Sequence, residues 1–399
     1  MTYYFNNAAT TWPKPECTAN AMRDFLIYGG ANSSRGTSSK RDMATMNLIL
    51  DCRIKLAKFF GGYDDYNPLL TTFTANITEA LNIVLRGFLK PGMSVITSSM
   101  EHNAVMRPLR DLEKNNSIKI KVLQADSEGS LNPRDLEKLL SEKKFDLMVT
   151  SHASNVCGTV QPLKEIAEIC RKNNLPLVLD TAQTAGLIEI NASELGLAAL
   201  CFTGHKGLMG PQGTGGIIWK PDFVSRVKPI MTGGTGSYSH LEYQPEDMPD
   251  KFEAGTPNLP GIAGLNAALI WLEDTGIKNI FQKENELGKY FLEKLKEFDE
   301  IILAGKKEMK DRVSVFSFNV KNIDNGILAD ELSSKGFETR PGLHCAPSAH
   351  KTLGTFPQGA LRVSPGFFNT AEEINKFFEE LKLILQVKRE KNRKENKKL

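Results

Sequence analysis

Between residues 93 and 219, short apolar runs alternate with amphipathic stretches, a pattern that few folds accommodate. MSVITSSM (93–100), IKIKVLQ (118–124), FDLMVTSHA (145–153) and LPLVLDTAQ (175–183) read as strands, and ALCFTGHK and GTGGIIWK as two more. NPRDLEKLLS and LKEIAEICRKNN lie between them as helices, the second with Leu163, Ile166, Ala167, Ile169 and Cys170 at helical spacing. Strands joined through helices cannot pair as hairpins. They return by crossovers, which build a largely parallel sheet covered by helices, so the expected fold class is α/β. In such sheets ligands collect at the carboxyl ends of the strands.

The texture changes past residue 260. GIAGLNAALIWLEDTG starts a helix, RVSVFSFNVKN (312–322) alternates like a half-buried strand, and TAEEINKFFEELKLILQ is a long amphipathic helix. The expected organisation is a large domain over 16–260, a smaller α+β domain over 261–387, and an N-terminal segment 1–15 packed with the smaller one. The Gly- and Pro-rich stretch TGGTGSYSHLEYQPEDMPDKFEAGTPNLP separates the two halves, and loops of that length are usually functional.

Charge and cysteine usage exclude several function classes. The tail KREKNRKENKKL (388–399) carries +5 of a whole-chain +3, which leaves the body at −2. No basic face with aromatic platforms remains, so no nucleic-acid role is expected, and the tail reads as a solvated helix end. No apolar run is long enough to span a bilayer, and the start MTYYFNNAATTWPKPE has no signal-peptide pattern. A cytoplasmic location is expected. The six cysteines are scattered without a C-x-x-C pair, which argues against a zinc site or a disulfide framework.

Polar residues gather where the predicted strands end. Asn155 follows one strand, Asp180 and Gln183 the next, and Thr203, His205 and Lys206 a third. Lys206 follows the apolar-rich ALCFTG and precedes several glycines, the setting in which an amine is desolvated enough to attack a carbonyl. A carboxylate such as Asp180 can hold a pyridine nitrogen protonated and make the ring an electron sink. His102 can stack on such a ring or simply start a helix. Thr78 fits a helix N-cap, beside amides able to hold a phosphate. The glycines of GPQGTGG and GGTGS fit no nucleotide fingerprint.

ETRPGLHCAPSAHK (338–351) places Cys345 beside His344, with Arg340 upstream and His350 downstream. A positive neighbourhood of that kind favours a thiolate.

These segments together resemble cysteine desulfurases of the class V aminotransferase family, fold-type I enzymes that use pyridoxal 5'-phosphate. The resemblance runs from FNNAATTWPKP to LRVSPGFFNTAEEI, through SRGTSS, TANITEALN, MEHNAVMRPL, SHASNVCGT, LDTAQTAG, TGHKGLMGPQGTG and FEAGTPN. It implies Lys206 as the Schiff-base lysine, Asp180 as partner of the pyridine nitrogen and His102 as the stacking ring. Gln183 and Asn155 are implied at the cofactor's ring oxygen or the substrate, and Thr78, Thr203 and His205 at the phosphate. Thr256 is implied to reach the other subunit's phosphate, hence a homodimer. Arg362 and Arg340 match arginines that grip a substrate carboxylate, a bidentate task suited to guanidinium.

Cys345 matches the thiol that accepts sulfur from L-cysteine and leaves alanine. The sequence resembles the R-x-G-H-H-C-A branch, but Leu343 replaces the first histidine and PSAHKTLGT follows. The identity of a sulfur-acceptor protein therefore stays open among iron–sulfur assembly, RNA thiolation and selenium metabolism. Selenocysteine lyase or another C–S/C–Se lyase is the alternative on the same scaffold. A transaminase leaves Cys345 unexplained. A non-catalytic sulfur-relay scaffold is the reading from another class, and the retained Lys206, Asp180 and His102 oppose it.

Overall fold

A computed structural model describes residues 2–31 and 39–395, with side chains through Arg389; most of the SRGTSS motif and the end of the basic tail lie outside them. The strands in chain order are β1 (Tyr3–Tyr4), β2 (Thr71–Thr74), β3 (Ser94–Ser98), β4 (Lys119–Leu123), β5 (Leu147–Ser151), β6 (Leu177–Asp180) and β7 (Ala199–Thr203). There follow β8 (Gly215–Trp219), β9 (Ile301–Ala304), β10 (Phe316–Val320), β11 (Phe337–Glu338), β12 (Arg340–Gly342) and β13 (Ala360–Val363).

Seven strands form the larger sheet in the order β2-β8-β7-β6-β5-β3-β4. The run from β7 to β4 is parallel throughout, and β8 is antiparallel to both its neighbours. The expected mostly parallel central sheet flanked by helices is what forms.

Strand pleat divides the core cleanly. Met148, Leu177, Leu179, Leu200 and Phe202 project into one cluster with Leu163, Ile166, Ala167 and Cys170 of the helix Leu163–Lys172. Leu147, Val149, Val178, Ala199 and Cys201 alternate to the other face. There they pack on the helices Ile77–Phe88 and Asn103–Asn116. Both faces of β5 and β6 are therefore dry, which is why their sequences read as continuous apolar runs.

A third cluster lies on a four-stranded antiparallel sheet, β12-β13-β10-β9, covered by the helices Ile277–Leu295, Asn325–Ser334 and Ala371–Glu395. Phe5 belongs to this cluster and β1 pairs with β11. The helix Leu259–Thr275 does not join it. Its Ile262, Leu265, Leu269 and Leu272 pack with the larger sheet, so a chain division at 260 falls in the first turn of an element that belongs to the first core.

The stretch from 230 to 258 carries almost no regular structure, yet one end is firmly tied. The buried Arg53 guanidinium makes two parallel bonds to Glu253, at 2.8 and 2.5 Å, and stacks on the Phe73 ring. The Phe73 amide donates to the same carboxylate at 2.6 Å. That anchor fixes the backbone three residues before Thr256. Among the described residues, no helix is long and apolar enough to cross a membrane, and no group of His, Cys, Asp or Glu is placed to hold a metal ion.

Candidate active site

The carboxyl ends of β3, β5, β6 and β7 bring the expected residues to one edge of the larger sheet. Asp180 is the last residue of β6 and is buried. Its Oδ1 accepts the Ala182 amide at 2.8 Å. Burial raises its carboxyl above the usual range, while that amide, Lys206 and Ser151 act to keep it charged. Lys206 follows β7 by three residues. Burial lowers its amine to about 8; Asp180 opposes this, and Arg362 and Arg340 add to it. Burial thus brings the amine within reach of deprotonation near pH 8, while the carboxylate favours its charged form.

Backbone contact sets the position of the lysine loop. Gly186, at φ +87°, lies where an added Cβ would stand 2.0 Å from the Gly207 carbonyl oxygen. Only glycine lets the turn after β6 approach the loop so closely.

His102 caps the helix Asn103–Asn116, its Nδ1 accepting the Ala104 amide at 3.0 Å. The other ring nitrogen therefore carries the hydrogen of the neutral form. Burial, then Lys206, Arg340, Arg362 and Arg107, lowers this histidine to about 4, so it presents a neutral ring at pH 7.

The second sheet contributes the arginines. Arg340 on β12 faces Arg362 on β13 across the ladder. Arg362 is buried and donates to the Asn155 carbonyl at 3.0 Å and to Asn6 Oδ1 at 3.1 Å. Burial first, and Arg340 second, lower it to about 9. Asn155 in turn donates from Nδ2 to the His344 carbonyl at 2.7 Å.

Cys345 is exposed, and its carbonyl accepts the Asn103 amide at 2.7 Å. The thiol loop is thereby seated on the first turn of the helix that His102 caps. His344 and Cys345 both have positive φ, 49° and 56°, a strain of about 1–3 kcal/mol each for residues with a Cβ. The expected positive neighbourhood is corrected in its source. His344 and His350 are buried and lowered to about 3 and about 4, chiefly by burial, so both are neutral. The cations that interact with the thiol are Lys206 and Arg362.

The remaining expected residues sit at the margins. Gln183 donates to the Ala8 carbonyl at 3.0 Å. Thr203 is buried, its hydroxyl 3.5 Å from the Thr214 carbonyl. Thr78 is not the N-cap. Asn76 is, accepting the Glu79 amide at 3.0 Å, because its extended backbone and short amide satisfy the turn two residues earlier. Thr78 is exposed in the first turn, where amides have no carbonyl within the helix. Thr256 lines a cavity of about 290 Å³ with Thr74, Ala75, Glu79, Gly213 and Thr214 at this same helix end.

Sequence reasoning missed Asn6 and Glu101. Glu101 is fully buried and accepts from the hydroxyls of Ser98, Thr150 and Ser151 and from the Ser151 amide. Burial pushes it up to about 7. Its place immediately before His102 was the available signal, although Glu beside His is common.

The site fits an anionic, ring-bearing cofactor. His205 Nδ1 and Arg362 Nε are buried without a protein partner among the described residues, so polar capacity is left for a ligand. Burial lowers His205 to about 4, with Lys206 and Lys14 assisting. A lysine lowered to about 8, a buried carboxylate on the neighbouring strand and a neutral histidine ring are the other groups such a ligand would meet.

Fold and site define a fold-type I enzyme of the kind that works with pyridoxal phosphate. The aminotransferase class-V family model matches residues 3–377, and the chain belongs to that family. A probable cysteine desulfurase of Pyrococcus abyssi is 32% identical over 381 residues, covering 94% of this chain and 92% of the relative. The cysteine desulfurase of Haloferax volcanii is 30% identical, covering 94% and 87%. An apo cysteine desulfurase structure from Thermococcus onnurineus NA1 superposes with a TM-score of 0.90 at 30% identity, covering 96% of this chain and 95% of that one.

Proposed function

We propose that the chain is a pyridoxal-phosphate-dependent cysteine desulfurase, converting L-cysteine to L-alanine and leaving the sulfur as a persulfide on Cys345. The observation that carries the reading is the seating of an exposed thiol, through Cys345 O and Asn103 N–H, on the helix whose cap is His102. Lys206 and Asp180 lie at the ends of the neighbouring strands β7 and β6. The similarity to named desulfurases along nearly the whole chain supports the same reading.

Lys206 would carry the cofactor and Asp180 would hold a proton on its ring nitrogen. His102 would stack on the ring, with Asn155 and Gln183 beside it. Thr78, Thr203 and His205 would hold the phosphate, joined by Thr256 of a partner subunit in a homodimer. Bound pyridoxal phosphate would supply an electron sink for the pair left on the substrate's Cα.

The chain's own groups do the rest. Arg362 and Arg340 grip the substrate carboxylate, and the Lys206 amine takes the Cα proton onto Nζ. The Cys345 thiolate attacks the substrate sulfur. A sulfur–sulfur bond forms, and the carbon–sulfur pair goes to the substrate's Cβ, which takes a proton on the way to alanine. A cytoplasmic setting and a sulfur-acceptor protein complete the proposal, as does the two-domain division, with the helix Leu259–Thr275 counted by its packing with the larger sheet.

Incubation of purified protein with L-cysteine is expected to release alanine and to add one sulfur to Cys345 by peptide mass. Alanine without that added sulfur would rule out the persulfide route. A second result follows from the Lys206 amine, lowered to about 8 by burial. Only the deprotonated amine attacks a carbonyl. Cofactor uptake by apoprotein should therefore speed up with rising pH, about tenfold per unit below 8, and level off above it. Growth of the visible absorbance after mixing measures this rate.

A further inference from the structure

We infer that His350 is a positioning residue for Cys345, acting through His344 to hold the thiol loop on the helix Asn103–Asn116. The inference rests on the reading of Cys345 as the reacting thiol only for its functional consequence; the loop geometry stands without it.

The two rings and their neighbours form one directed chain. His344 Nε2 lies 2.9 Å from the Arg340 carbonyl, which can only accept, so Nε2 carries the hydrogen. His344 Nδ1 is then bare in the neutral ring and accepts from His350 Nε2–H at 3.2 Å. His350 Nδ1 is bare in its turn and accepts from the Thr355 hydroxyl at 2.7 Å. Every tautomer is set by the carbonyl at the far end.

Nothing in the proposed chemistry uses His350. It is wholly buried on the helix Pro347–Thr352, and the Thr355 and Phe356 amides donate to its carbonyl at 2.8 and 3.1 Å. The relay therefore fastens His344 to a turn outside the thiol loop. His344 and Cys345 hold left-handed backbone that only surrounding contacts can maintain. On the other side the loop is gripped through the His344 carbonyl by Asn155 and through the Cys345 carbonyl by Asn103. The relay holds the His344 ring while these two bonds hold the His344 and Cys345 carbonyls.

Amide exchange at Asn103 reads the clamp directly, because that N–H is held by the Cys345 carbonyl and lies in a different element from His350. In protein loaded with pyridoxal phosphate, His350→Ala should speed exchange at Asn103 by at least about tenfold, as loss of one hydrogen bond would. His350→Gln, whose Nε2 can still donate to His344, should stay within about threefold of wild type. Thr355→Val, which removes the hydroxyl and keeps the volume, should fall between them and decides the matter if His350→Ala does not fold. A role confined to packing would loosen the helix Pro347–Thr352 and leave Asn103 unchanged. That result, or Gln behaving no better than Ala, overturns the inference. With L-cysteine, kcat should fall in the order of the exchange rates while KM stays near wild type. Absence of desulfuration in the wild type would sink the proposed function and leave the exchange test valid.

Discussion

Replacing Lys206 with alanine is expected to lower alanine formation from L-cysteine by at least about 10³-fold, with the fold unchanged. Lys206 stands just past the end of β7, its amine lowered to about 8 by burial, and both its proposed tasks need that amine: carrying the cofactor and taking the Cα proton. No neighbour can replace it. His102 is committed through Nδ1 to the Ala104 amide, and Arg362 donates to the Asn155 carbonyl and to Asn6. The loss also removes a cation that helps keep Asp180 charged, so the ring nitrogen's partner weakens as well. The checks are steady-state alanine release, the visible absorbance of lysine-bound cofactor, which should vanish, and far-UV circular dichroism, which should not change. Retained activity would reject the proposed role.

Cys345→Ser is expected to separate binding from chemistry. Serine is nearly isosteric, and the backbone contacts that seat the loop, Cys345 O with Asn103 N–H and His344 O with Asn155, involve no sulfur. Cofactor absorbance should therefore match wild type. Alanine release from L-cysteine should fall by at least about 100-fold, because a hydroxyl is far less ionised and less nucleophilic toward sulfur than a thiol. Selenocysteine decides the neighbouring alternative: if its turnover survives the substitution while that of cysteine is lost, the chain also works as a selenocysteine lyase. Undiminished desulfuration of cysteine by the serine variant would remove Cys345 from the mechanism.

Much of this site was legible in the chain because each strand end is a local event. An apolar run stops, a polar residue follows, and the parallel sheet delivers Asn155, Asp180 and Lys206 to one edge without long-range information. Thr78 shows the limit of that approach: the choice of cap depended on which residue's backbone was extended, and Asn76 took the place. The histidines show another. His344 and His350 read as positive charge near a thiol, yet burial makes them neutral, and burial cannot be read from a loop of Pro, Gly and His.

The α/β class, the parallel sheet and the identity of the polar residues at its edge follow from the chain alone, since alternation and strand-end chemistry are properties of neighbours in it. Three features needed the folded chain: Arg362 is buried against Asn155 and Asn6, the helix Leu259–Thr275 belongs to the larger core, and Cys345 sits on the helix capped by His102. Those facts depend on packing between segments up to 356 residues apart, and no local pattern encodes which carbonyl a distant amide will meet.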